Sequence, residues 1–241
     1  MKLARAIRYP TNEEHWLKTM GIGTILEILT FLVIPQVLLQ GYYIRVMRRT
    51  VAGDEEPPEL DGWRELLVEG AQATAILLAY KAIPIIAVMV YFVPGFLETV
   101  SEGNFVGILW ALLSAVVLYG ALFALFGYAA AAGLVAFAET GSMAAAFSPR
   151  LAQVLFSLTY LVAYLKVLLV AAAVVGLKFA IGLVPPLTPL LIIVAPFLVK
   201  YVWVVWARLW ADAYAEVMGS DRRGDRRPDA AGAGSGRPSG P

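Results

Sequence analysis

Residues 71–96, 105–138, 154–181 and 187–211 form four nearly unbroken apolar blocks. Each is longer than the roughly 20 residues a helix needs to cross a bilayer. Inside hydrocarbon no water is available to the backbone, so each block must satisfy its own N–H and C=O groups, as a helix does. Composition agrees. The chain is 60% hydrophobic and 15% charged, against roughly 45–50% and about 25% in soluble domains. No globule of 241 residues could cover these blocks. A soluble enzyme, a disordered chain and a disulfide scaffold are thereby excluded. The expected fold class is all-α, a polytopic membrane bundle of five to six helical segments arranged as hairpins.

A fifth block, 17–44, is interrupted by Glu27, Pro35, Gln36 and Gln40. It reads as one crossing helix, or as two helices over 17–34 and 36–50 bent at Pro35. A proline within a helix removes a hydrogen bond and clashes with the preceding turn.

The charges favour the second reading. Lysine and arginine in short loops mark the cytoplasmic side. Arg45, Arg48, Arg49, Arg64 and Arg150 lie in internal loops, and Arg222, Arg223, Arg226, Arg227 and Arg237 in the tail. The connections 97–104 and 182–186 contain neither residue type. Threading the four clean blocks puts every one of these arginines on one side. Lys2, Arg5, Arg8 and Lys18 join them only if the chain turns back near Pro35. Three hairpins result, turning near Pro35, at Pro94-Gly95 and at Pro185-Pro186, with both termini cytoplasmic. The arm 36–44 has nine residues and reaches about 14 Å at the helical rise. The first hairpin is therefore expected to be re-entrant.

The remaining segments sit outside the apolar core. Residues 1–9 suit a short interfacial helix. Residues 53–58 form a polar turn, and 60–70 read as a surface helix. The membrane domain is expected over 1–218. The tail 219–241, rich in Gly, Pro, Ser and paired Arg, is expected to be disordered. The N-terminus lacks the features of a signal peptide, so the first apolar block is expected to stay in the mature protein.

The segment 41–63 carries a recognisable pattern: Gly41-Tyr42, Arg45, Arg48-Arg49, Gly53-Asp54-Glu55 and Pro58-Glu59-Leu60-Asp61-Gly62-Trp63. It resembles a family of prokaryotic, largely archaeal, membrane proteins catalogued as a domain of unknown function, number 4013. Tyr9-Pro10 and Trp16-Leu17-Lys18 fit the family's opening, and Arg208 and Tyr214 its closing helix. The resemblance covers roughly residues 1–219. It implies an architecture and supplies no catalytic residue.

Candidate chemistry rests on ionisable residues at membrane depth, which are costly and usually face the bundle interior or a cavity. These are Glu27, Lys81, Lys166 and Lys200, with Lys178 nearer an outer helix end. The three deep lysines lie about 15–18 Å from the inner helix ends at the helical rise. They share one layer, with Glu27 the one acid at similar depth. This reads as a ligand-binding cationic site for an anion, or as snorkelling lysines with one structural ion pair. Arg45, Arg48 and Arg49 could hold anionic lipid headgroups. The acids Asp54, Glu55, Glu56, Glu59 and Asp61 read as a solvated turn. Gly120, Ala124, Gly127 and Ala131 share a helix face suited to close packing. Tyr42, Tyr43, Trp63, Trp203, Trp206 and Trp210 read as an interface belt.

The chain has no cysteine and one histidine, His15. Thiolate and multi-histidine metal sites are excluded, and no metal or cofactor is expected. The 19 basic and 18 acidic residues give a net charge of +1, without the basic surplus of a nucleic-acid binder. No nucleophile motif stands out, so no catalytic residue is assigned. The expected function is a non-enzymatic component of the cell membrane. Its partners would be the bilayer, an anionic lipid, another copy or a membrane protein. The alternative is a small transporter for an anionic or lipid-like solute, using the buried lysines.

Overall fold

The computed structural model describes residues 3–184, 186, 189 and 191–225. It contains helices α1 (Leu3–Arg8), α2 (Trp16–Ile28), α3 (Val33–Ala52), α4 (Trp63–Ser101), α5 (Phe105–Thr140), α6 (Leu151–Leu155), α7 (Leu158–Gly182) and α8 (Leu191–Asp225). Short 3-10 turns at Tyr9–Thr11 and Met143–Phe147 complete the order. Among the described residues there is no strand. The expected all-α bundle is what forms. α4, α5, α7 and the Val194–Gly219 part of α8 are long and apolar enough to cross a membrane.

The first break falls before Pro35, not at it. The chain turns over 29–32, and Pro35 sits in the first turn of α3. There its missing N–H is one of the donors that no helix satisfies internally. Pro94-Gly95 likewise fails to make the second turn, since Pro84 and Pro94 both lie inside α4. That chain reverses at 102–104, where Gly103 has φ +67° and the Asn104 side chain accepts from the Gly107 N–H at 3.0 Å. A left-handed glycine and an Asn cap define this turn better than a proline does, because surrounding helix can absorb the proline. The expected turn at Pro185-Pro186 lies partly outside the described residues.

Three other boundaries move. The surface helix expected over 60–70 is the start of α4, continuous with the apolar block. The block 154–181 begins as α6 and breaks before α7. α8 runs on to Asp225, through part of the tail expected to be disordered. A single glycine such as Gly219 costs a helix only about 1 kcal/mol, and the arginines beyond it are good helix formers. Residues 226–241 lie outside the described part.

α2 and α3 form a hairpin that stops part-way along the bundle. At 13 and 20 residues they extend about 20 and 30 Å. α3 runs antiparallel to the start of α4, and the two backbones nearly touch. A Cβ on Gly41 would lie 2.1 Å from the Leu66 carbonyl oxygen, and one on Gly70 1.8 Å from that of Val37. This pairing places the start of α3 alongside only the first third of α4. The hairpin tip is apolar yet open, with Phe31 78% and Val33 76% exposed.

The buried core occupies the same half of the bundle. It joins α3, the first turns of α4, residues 131–138 of α5 and residues 204–214 of α8. In the other half, α4, α5 and α7 present Tyr91, Val116, Leu125, Val175 and many similar side chains outward. An apolar surface this extensive marks a membrane-facing region.

Candidate functional site

The end of the bundle that holds the buried core is tied by arginines. Arg45, on α3, donates to the Asp61 carbonyl at 2.8 Å and to its carboxylate at 3.1 Å. Its Nε lies 3.7 Å from Glu69. Arg48, one residue-turn further, bonds Glu69 at 2.7 Å and the Ala138 carbonyl at 3.0 Å. Together they tie α3 to its loop, to α4 and to the end of α5. A polar cavity of about 430 Å³ lies among Arg45, Arg48, Arg49, Glu59 and Asp61. Of the three arginines expected to meet headgroups, Arg49 alone is exposed. The other two are engaged by internal acceptors.

Arg208 does comparable work on α8. It is buried, its guanidinium carbon lies 4.5 Å from the Tyr9 ring centroid, and Nε lies 3.4 Å from Asp212. It also donates to the Asp54 carbonyl. The N-terminal segment, the 53–62 loop and α8 therefore converge on one cation. The sequence marked Arg208 by family resemblance alone, because a single arginine late in an apolar helix reads as an end marker. Beside it, burial pushes the Tyr9 hydroxyl above its ordinary range, and in the same N-terminal segment burial raises the Glu13 carboxyl. Glu13 also accepts from the Thr19 hydroxyl at 2.9 Å.

The deep lysines do not share a site. Lys200 is fully buried. Its ammonium lies 3.8 Å from the Tyr42 ring centroid and 4.5 Å from that of Tyr43. Gly23 of α2 makes room for it, since a Cβ there would fall 2.5 Å from Lys200 Cε. Its Nζ has no hydrogen-bond partner. Glu27, a helical turn from Gly23, is the acid whose charge acts on it, although no ion pair within 4.0 Å joins them among the described residues. Lys81 lies elsewhere, 5.6 Å from the Phe123 ring centroid. Lys166 sits half-buried on α7. The depth shared along the helices is not a shared location: Lys81 lines a cavity that Lys166 and Lys200 do not, and Lys200 sits against Tyr42 and Tyr43.

Lys81 instead stands on a second cavity, of about 390 Å³, enclosed by α3, α4, α5, α7 and α8. That is within the roughly 300–1,000 Å³ of small-molecule pockets. One wall is the small-residue face Gly120, Ala124, Gly127 and Ala131. Close helix packing was expected of this face, yet a Cβ on Gly120 or Gly127 would meet nothing within 4 Å. The face forms an open wall because α7 stands off from it. The Tyr164 hydroxyl spans the gap to the Ala124 carbonyl at 3.0 Å. The opposite wall is aromatic. Trp203 and Trp206 rings lie 4.8 Å apart and Trp206 and Trp210 5.9 Å apart, while Tyr43 stacks on Trp203 at 5.8 Å. These residues were expected to form an interface belt, and here they line the cavity. The signal was an i, i+3, i+7 tryptophan spacing on α8, which puts all three on one face. At the rim, Lys81, Phe123 and Leu168 are exposed within the apolar half of the bundle. No group of three or more potential metal ligands occurs among the described residues.

The family described as "Protein of unknown function (DUF4013)" matches residues 24–185. The chain belongs to that family. The match covers the segment 41–63 that carried the resemblance, while Tyr9-Pro10, Trp16–Lys18, Arg208 and Tyr214 fall outside it. Searches of curated proteins and of solved structures found no match.

Proposed function

We propose that this member of the family is a non-enzymatic membrane component that holds an amphiphile from the surrounding bilayer in its lateral cavity. The observation that carries the reading is the cavity at the standing-off face of α5, whose glycines open on empty space and whose rim lies in the apolar half. A lipid tail reaches such a rim without crossing water. The chain would cross the membrane four times, with the α2–α3 hairpin dipping into the cytoplasmic half and both termini cytoplasmic. The one-sided arginines support that orientation. Of the three deep lysines the cavity includes Lys81 alone, so a cationic transport path has no assembled layer to use.

The test is native mass spectrometry of protein extracted in mild detergent. The native chain should carry a retained bilayer amphiphile. Ala124→Trp, which fills the cavity from its small-residue wall, should abolish retention while preserving the elution volume. Equal retention by both proteins would exclude the cavity as the site.

A further inference from the structure

The polar groups of this cavity are biased in one direction. Trp206, Trp210 and Tyr43 line the cavity with their rings, while their indole N–H and hydroxyl groups are buried out of its open space. Tyr80 and Tyr164 already donate to the Ala146 and Ala124 carbonyls. Gln36 and Gln40 can both donate and accept. The one charged group is the Lys81 ammonium, and neither Asp nor Glu lines the space. The walls otherwise are apolar and aromatic.

What complements such a lining is an apolar body with a head that accepts hydrogen bonds and carries negative charge. A single ammonium balances a single charge. We infer that the cavity takes a single-chain monoanionic amphiphile with an acceptor-only head, a long-chain carboxylate. Lys81 compensates its charge and donates to the head, and the small-residue wall admits the chain. This rests on the cavity reading above, and the test separates the two.

The full chain, delipidated in a neutral detergent, is titrated with palmitate, hexadecanol and phosphatidylglycerol and read by native mass spectrometry. Palmitate should bind about tenfold more tightly than hexadecanol, the scale of one charge-assisted hydrogen bond. Lys81→Met should remove that preference, and Lys81→Arg should keep most of it. Lys166→Met, away from the cavity, should change nothing. Hexadecanol equal to palmitate, or Lys81→Arg as damaging as Lys81→Met, would overturn the carboxylate assignment. So would phosphatidylglycerol displacing palmitate at equal concentration. If Ala124→Trp blocks all three ligands, the cavity reading stands even when the head assignment fails. If it blocks none, the site itself is wrong.

Discussion

The two halves of the bundle solve the same problem with different physics. In the half containing α3, the chain buries Leu66, Ile76, Val204 and Leu209 against one another and ties the ends with Arg45, Arg48 and Arg208. In the other half, α4, α5 and α7 leave most apolar side chains exposed. The first half is specified residue by residue, through contacts and satisfied charges. The second is specified by hydropathy and helix length, because lipid is as good a partner for Leu as another Leu is. Substitutions should therefore be costly in one half and tolerated in the other.

Arg208 gives the largest expected contrast. Arg208→Met leaves Asp212 and the Asp54 carbonyl without their partner, and breaking a buried pair costs about 3–5 kcal/mol. Lys178→Met, in the half with exposed apolar side chains, should stay within about 0.5 kcal/mol. Thermal unfolding in detergent, followed by size-exclusion chromatography, reads both. Similar losses would dissolve the distinction between the halves.

Glycine gives the next contrast. Gly70→Ala pushes a Cβ into the Val37 carbonyl, and overpacking of this kind costs about 1–3 kcal/mol. Gly95→Ala, on the same helix with nothing within 4 Å, should be neutral or slightly stabilising through helix propensity. A stable Gly70→Ala protein would show that α3 and α4 can separate at little cost.

The smallest effect concerns Glu13, in the N-terminal segment before α2. Burial raises its carboxyl above the ordinary 4.5. A raised folded value favours the protonated form, so this stabilisation is full below pH 4.5 and fades as pH rises through the folded value. Glu13→Gln should flatten the melting temperature between pH 4.5 and neutrality. An unchanged slope in Glu13→Gln would show that Glu13 is solvated like an ordinary surface acid.

The apolar blocks were readable because length and hydropathy alone define a spanning helix, and α4, α5, α7 and α8 lie where those blocks lie. The turns were less so. Proline draws the eye, but Pro35, Pro84 and Pro94 are absorbed by helices, while Gly103-Asn104 makes the turn. The site was hardest. In a helix apolar all round, periodicity does not say which face meets a neighbour, so equal depth for Lys81, Lys166 and Lys200 said nothing of azimuth. The small-residue face of α5 was visible, but whether a helix or a void lies opposite depends on where α7 is placed.

The touching backbones at Gly41 and Gly70 also fix a length. Sliding α3 by one helical turn along α4, about 5.4 Å, would bring Val37 or Arg45 to the place of Gly41, and either Cβ would strike the Leu66 carbonyl. No neighbouring register is open to the pair. The reach of the hairpin along α4 is therefore set by two hydrogen atoms where side chains would be.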